Sequence, residues 1–209
     1  MHRGSALLCL LLGFALVGIE PRLRACENGI EERINPRAEA VAAAEQALRA
    51  GNYLAAAGHA SRVQANLRAA DGADPLTARA LRVMALVSVR TGGLWLRQGK
   101  LSASGDAERA MNLEWAVSKL RRRVMSALGH PERLSDLGEA LTARAEHQEE
   151  ASNILEYLAQ RQLITSAHAY AALAQLRAAR GDADGEKVAR ARCKQLTKTA
   201  GVCGDSAGA

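Results

Sequence analysis

Aromatic residues are scarce in this chain of 209 residues: they make up 3% of it, and Phe14 is the single phenylalanine. Side chains that favour strands are therefore few. Alanine, by contrast, occurs 44 times, and Leu, Arg, Gln and Glu are also frequent. All of these residues favour helices. The composition argues against a sheet-based domain and predicts an all-α protein with one ordinary domain.

Lysine is also scarce, with five residues, so that arginine carries most of the formal net charge of +6. Acidic residues are interleaved with the arginines along the chain, which is typical of a solvated helical surface. The densest basic stretch is SKLRRRV at residues 118–124. We interpret it as a solvated face, with contact to an acidic partner or an anionic membrane surface as the functional alternative.

The N-terminus has the pattern of an export signal. A positive start is followed by an apolar run at residues 6–19 and by the small residue Ala25. This order predicts a signal peptide at residues 1–25, followed by an N-terminal segment at 26–34. A buried N-terminal helix is the alternative. The prediction places the mature protein in the periplasm or outside the cell.

The motif Leu-Arg-Ala-Cys at residues 23–26 resembles the box of a bacterial lipoprotein, in which the cysteine is lipidated. Arg24 departs from that pattern, and three residues separate the box from the apolar run. Simple cleavage after Ala25 is therefore favoured. A membrane-anchored lipoprotein, lipidated at Cys26, is the alternative.

Cleavage would leave three cysteines, Cys26, Cys193 and Cys203, in an oxidising compartment where disulfides persist. Cys193 and Cys203 are close in sequence, and Gly201 can form a turn between them. We expect a local bridge that pins the C-terminal tail, residues 200–209, onto the last helix. Two unlinked thiols are the alternative, because sequence alone does not fix the geometry.

Hydrophobic periodicity, capping residues and glycine stops predict eight helices in four antiparallel pairs across residues 35–199. An irregular insertion is expected at about 93–105. The predicted helices cover residues 36–50, 53–69, 75–90, 106–128, 131–144, 146–161, 166–180 and 186–199.

The four pairs have one internal register. The middle of each first helix carries a small residue: Ala44, Ala85, Gly138 and Ala174. Seven residues later the helix stops at Gly51, Gly92, Ala145 and Gly181, respectively. A small residue lets the partner helix pack closely, and a glycine permits the reversal. The pattern predicts repeated helical hairpins.

The pattern resembles the tetratricopeptide repeat. LSDLGEAL at residues 134–141 carries its apolar and Leu-Gly positions, and LRAGNYLAA at 48–56 is similar to its inter-helix turn. The small residues lie 41, 53 and 36 positions apart, and the signature aromatics are mostly Ala or Leu. The resemblance implies antiparallel hairpins stacked as a short right-handed α-solenoid. An unrelated alanine-rich helical bundle is the alternative.

The resemblance also implies a concave groove, lined by the first helix of each pair, that binds an extended protein segment. Leu86 stands where a carboxylate clamp would need Asn, so we expect no clamp for a terminal carboxylate. The second pair would be basic and the third acidic. The implied groove residues are Glu45, Arg49, Arg79, Arg82, Arg90, Glu132, Glu139, His168 and Gln175.

No catalytic constellation, metal motif or phosphate loop is found in the sequence, so neither enzymatic activity nor a cofactor is expected. Trp95 lies in the insertion and is either tucked beneath it or an exposed anchor for a partner. Nucleic acid is not expected, because no stacking aromatics accompany the basic stretch. The sequence predicts an exported, non-enzymatic scaffold that binds another protein, with a membrane- or cell-wall-associated bundle as the alternative.

Overall fold

The structure, a computed structural model, describes residues 35–199 and 201–204. These residues form eight α-helices and two short strands, which confirms the predicted all-α class. The helices are α1 (Pro36–Arg49), α2 (Tyr53–Val63), α3 (Pro75–Arg90), α4 (Asp106–Met125), α5 (Pro131–Thr142), α6 (Gln148–Gln160), α7 (Ala167–Ala179) and α8 (Ala183–Leu196). The strands are β1 (Trp95–Arg97) and β2 (Lys100–Ser102).

Side-chain caps define the starts of five helices. Asn35, Asn52, Asp74, Ser166 and Asp182 each accept a hydrogen bond from a backbone N–H in the first turn that follows. Each bond satisfies a donor that has no partner within the helix. The cap of α8 is Asp182, so that α8 begins at Ala183 rather than at the predicted residue 186.

The helices pack as consecutive pairs: α1 with α2, α3 with α4, α5 with α6 and α7 with α8. The first helices also contact one another in series, from α1 through α3 and α5 to α7, and so form one layer. The small residues of the shared register are buried in this arrangement. At Gly138 a Cβ would lie 2.7 Å from Cδ2 of Leu155. The helices therefore approach too closely there for a larger residue.

Helix α2 ends at Val63, six residues before the predicted end. Gln64 is extended, and the chain turns so that Leu67 is buried in the core. The indole of Trp115 and the ammonium of Lys119 donate to the carbonyls of Arg68 and Ala70, respectively. Contacts with α4 thus replace the helical bonds that would have continued α2.

The insertion is a β-hairpin and not an irregular loop. Trp95 pairs with Ser102 and Arg97 with Lys100 in antiparallel register. Gln98 and Gly99 both have positive φ, as two-residue hairpin turns require. Gln98 and Gly99 are thus the turn that joins the two strands.

The predicted disulfide between Cys193 and Cys203 is confirmed. Arg190 of α8 also donates hydrogen bonds to the carbonyls of Cys203 and Gly204. The bridge and these bonds hold the chain after α8 against the last hairpin. The signal peptide, Cys26 and residues 205–209 lie outside the described residues. No helix within the described ranges is long and apolar enough to span a membrane.

Candidate functional site

The predicted groove positions surround a cavity of about 590 Å³ on the α1, α3, α5 and α7 layer. Six of the nine line it, and they come from four different helices. We call this the central cavity. The six residues are Glu45, Arg49, Arg82, Arg90, Glu132 and His168.

The other three predicted positions lie elsewhere. Arg79 is bound to Glu45 in a bidentate pair, with distances of 2.9 and 2.7 Å. Glu139 is buried, and Gln175 is exposed on α7 without lining the cavity. The prediction that α5 presents an acidic face therefore does not apply to Glu139, whose carboxylate is turned into the protein.

Three ion pairs join α3 to α5 beside the cavity. Arg90 binds Glu139, whereas Arg82 binds both Asp136, at 2.6 Å, and Glu132, at 3.0 Å. Asp136 is 1% exposed and also accepts from Arg123 of α4 at 3.2 Å. The basic second hairpin and the acidic third hairpin therefore neutralise each other rather than a ligand.

Sequence reasoning missed Asp136 as a partner in this network. The signal was present, because Asp136 lies four residues after Glu132 and three before Glu139 and so shares their helix face. The sequence does not reveal how close α3 and α5 lie to each other. That distance determines whether the opposite charges on their facing sides form ion pairs.

Tyr53, at the start of α2, and His168, on α7, connect the first and last hairpins. The Tyr53 hydroxyl lies 3.2 Å from Nε2 of His168. Burial, with a further contribution from the positive charge of Arg90, lowers the pKa of His168 to about 4. The imidazole is therefore neutral at physiological pH and offers the cavity a hydrogen-bonding group without a charge.

Arg49 is the cation of the central cavity whose charge is least compensated. Its side chain is exposed and forms no hydrogen bond or ion pair with any described residue. The bond from Arg79 is the main reason that the pKa of Glu45, one turn earlier, is lowered, and Arg49 adds to this effect. Because Glu45 is already bound to Arg79, Arg49 is available to a carboxylate from outside.

The chain after α8 forms one edge of the central cavity. Thr197, Thr199 and Val202 line it. Cγ2 of Thr199 lies 3.9 Å from the point where a Cβ on Gly51 would sit, so this segment reaches the turn of the first hairpin. The disulfide thus fixes an edge of the cavity as well as the end of the last hairpin.

Trp95 is half-buried rather than exposed, which corrects the idea of a free aromatic anchor. Its ring packs edge-to-face on Trp115, with the centroids 4.7 Å apart. The Arg68 guanidinium lies 4.2 Å from the centroid of the Trp95 ring. The hairpin buries its aromatic side chain against the core, which is the other interpretation of a tryptophan in an insertion.

A second concavity, of about 340 Å³, lies between the loop at residues 71–73, α3 and α4. We call it the basic pocket. Its inner wall includes Ala78, Leu81 and Leu120, and Lys119 and Arg122 also line it. It includes part of the basic stretch of the sequence, and Arg82 lines both this pocket and the central cavity.

The described part of the chain contains no cluster of three or more His, Cys, Asp or Glu side chains that could hold a metal ion. Comparisons with protein-family models, with curated proteins and with solved structures find no match.

Proposed function

We propose that this protein is an exported, non-enzymatic scaffold that binds a short extended segment of another envelope protein in the central cavity. The main support is the convergence of six predicted groove positions, from α1, α3, α5 and α7, on one cavity. Its volume of about 590 Å³ is in the range of ligand sites and too small for a folded domain. A few residues of extended chain are the expected occupant.

The lining indicates the chemistry of that segment. Arg49 offers a cation, Tyr53 and His168 offer neutral polar groups, and Leu48, Leu196 and Val202 offer apolar surface. The buried ion pairs beside the cavity are already satisfied and contribute little further attraction. We expect a segment that carries an apolar side chain next to one carboxylate.

The tetratricopeptide-like architecture belongs to the same proposal. Two observations support it: the serial contacts of the first helices, and the burial of the small residues in the shared register. In such repeats the layer of first helices forms the surface that binds the partner. The right-handed stacking of the hairpins remains a prediction.

Site-specific photo-crosslinking tests the proposal in cells. A photoreactive amino acid replaces Leu196, which is exposed and lines the cavity, and in a control replaces Val188, which is exposed two turns earlier on α8 and lines a different concavity. We expect one protein to be captured from position 196 and not from 188. Equal capture from both positions would contradict a specific site.

Charge reversal gives the matched binding test. Arg49→Glu places a carboxylate where the segment's carboxylate should bind, whereas Arg62→Glu reverses an exposed arginine in the last turn of α2. We expect Arg49→Glu to weaken capture of the crosslinked partner by about tenfold or more, as for like charges at an interface. Unchanged capture by Arg49→Glu would rule out the central cavity as the site.

A further inference from the structure

The end of α4 and the turn that follows it carry the two most exposed large apolar side chains of the described residues. Met125 is 68% exposed and Leu128 is 73% exposed. Met125 lies three residues after Arg122 and four after Arg121, so it neighbours both on the helix. We call Arg121, Arg122, Met125, Leu128 and Arg133 the basic tip.

The charge at the basic tip is only partly compensated. Arg121 is paired with Glu150 at 2.6 Å. Arg122 is exposed and forms no hydrogen bond or ion pair within the described ranges. Arg133 donates to the carbonyl of Arg123 and the hydroxyl of Ser126, and neither acceptor is a carboxylate. Two cations without an acidic partner therefore flank the exposed apolar pair.

The basic pocket opens beside the tip and extends its cationic surface. Arg122 belongs to both features, and Ser126, which accepts a hydrogen bond from Arg133, also lines the pocket. Lys119 also lines the pocket, and its ammonium donates a hydrogen bond to the Ala70 carbonyl. Asp71 is the one carboxylate among the described residues that line this pocket. Exposed apolar side chains, cations and an apolar-walled recess thus adjoin one another at this end of α4.

We propose that the basic tip docks on an anionic phospholipid bilayer, with Met125 and Leu128 entering the interface and Arg122, Arg133 and Lys119 facing the headgroups. Cations at an anionic membrane surface and apolar side chains within it reinforce each other. Two apolar side chains are too small an area for a stable protein interface. A membrane needs no such area, because binding there is weak and reversible.

None of the residues of the basic tip lines the central cavity. A test can therefore contradict membrane docking of the tip without contradicting segment binding in the cavity, and a test of segment binding does not affect the docking proposal. The docking also differs from an anchor at Cys26, because it requires no acyl chain. The two can be distinguished by replacing Cys26 with serine in every protein tested, so that lipidation contributes nothing to the binding.

Vesicle co-sedimentation tests the docking with the full chain carrying Cys26→Ser. Vesicles of phosphatidylcholine alone measure any contribution from residues 1–34. Vesicles that also contain phosphatidylglycerol, at about one lipid in three, measure the added effect of anionic headgroups. We expect the protein to bind the vesicles that contain phosphatidylglycerol more strongly than those of phosphatidylcholine alone. This anionic increment should disappear in high salt.

Two double variants identify the residues. Lys119→Gln with Arg122→Gln should lower the anionic increment by about twenty-five-fold, since each cation at the surface contributes a factor of about five. Met125→Ser with Leu128→Ser should lower it by about tenfold or more. The controls are Arg62→Gln and Met111→Ser, which alter an exposed arginine on α2 and an exposed methionine on α4, away from the tip.

An anionic increment that survives both double variants, or falls equally in the controls, would overturn the proposal. The proposal would also be overturned if the protein forms a dimer, and if Met125→Ser with Leu128→Ser dissociates this dimer without altering vesicle binding. The basic tip would then be an interface with a second copy of the chain. Sedimentation velocity on the same samples measures this outcome. Far-ultraviolet circular dichroism verifies that each variant keeps its helix content.

Discussion

Arg90 of α3 and Glu139 of α5 form a bidentate ion pair, with distances of 2.7 and 3.0 Å, inside the layer of first helices. Their side chains are 8% and 5% exposed. Both had been predicted to face a ligand. Instead they bind each other, and each removes the cost of burying the other's charge.

Glu139→Gln should destabilise the protein by about 3–5 kcal/mol, because it leaves the Arg90 guanidinium buried without a counter-charge. Urea unfolding followed by circular dichroism measures the change. The double variant Arg90→Met with Glu139→Leu should recover most of this loss, since no charge then remains.

The control for this prediction is Glu146→Gln, which breaks the solvent-exposed pair of Glu146 with Arg144. It should cost far less than Glu139→Gln, because solvent screens an ion pair at the surface. A cost for Glu139→Gln as small as that of the control would show that the buried pair does not fasten α3 to α5.

Acidification should destabilise the protein through His168. Its pKa is lowered to about 4 in the folded state, against about 6.5 in the unfolded chain. The unfolded state therefore binds more protons between these values, so stability is full above about pH 7 and falls as the pH drops to about 4. The loss from this group is at most about 3 kcal/mol.

His168→Gln should remove that part of the pH dependence, because glutamine does not titrate in this range. The measurement is the free energy of unfolding of both proteins at several pH values from 7 to 4. Parallel curves for wild type and variant would contradict a half-buried, neutral imidazole beside Tyr53. Other titrating groups are common to both proteins and cancel in the difference.

Gly93→Ala should be far more destabilising than Gly99→Ala, although both glycines have positive φ. At Gly93 a Cβ would lie 2.5 Å from the carbonyl oxygen of Arg109, whereas nothing lies within 4 Å at Gly99. Both variants suffer backbone strain of about 1–2 kcal/mol. Gly93→Ala must also move the hairpin away from α4.

Thermal unfolding of the two glycine variants gives the comparison directly. Near-ultraviolet circular dichroism adds a local readout, because the protein has two tryptophans, Trp95 and Trp115, and their rings are in contact. We expect that signal to fall for Gly93→Ala and to persist for Gly99→Ala. Equal stability of the two variants would mean that the close approach to Arg109 is absent.

Reduction of the Cys193–Cys203 bridge should release the edge of the central cavity. The bridge closes a loop with a sequence separation of 10 residues, and a loop of this size gives at most about 3 kcal/mol. Hydrogen exchange at residues 197–199 and 201–204 should become faster, while exchange in α3 and α5 stays slow.

The variant Cys193→Ser with Cys203→Ser should reproduce the effect without a reductant. If the segment remains protected in both cases, then the hydrogen bonds from Arg190 suffice to hold it. The bridge would in that case add little to the closure of the cavity.

The sequence by itself determined the helices and their order. Asn35, Asn52 and Asp74 are capping residues next to periodic apolar positions, and both signals act between residues that are near in the chain. The Cys193–Cys203 bridge was predictable for the same reason, since the two cysteines are 10 residues apart in the chain. The small residues of the shared register correctly marked where helices approach closely.

Only the tertiary structure decided which groups remain available. The sequence predicts which helix face Arg90 and Glu139 occupy, and on that basis both are predicted to line the groove. Whether a facing helix carries the opposite charge depends on packing between distant segments. The same holds for Trp95, which Trp115 and Arg68 cover from other parts of the chain. Local physics therefore fixed the elements, and contacts between distant segments fixed what their surfaces can bind.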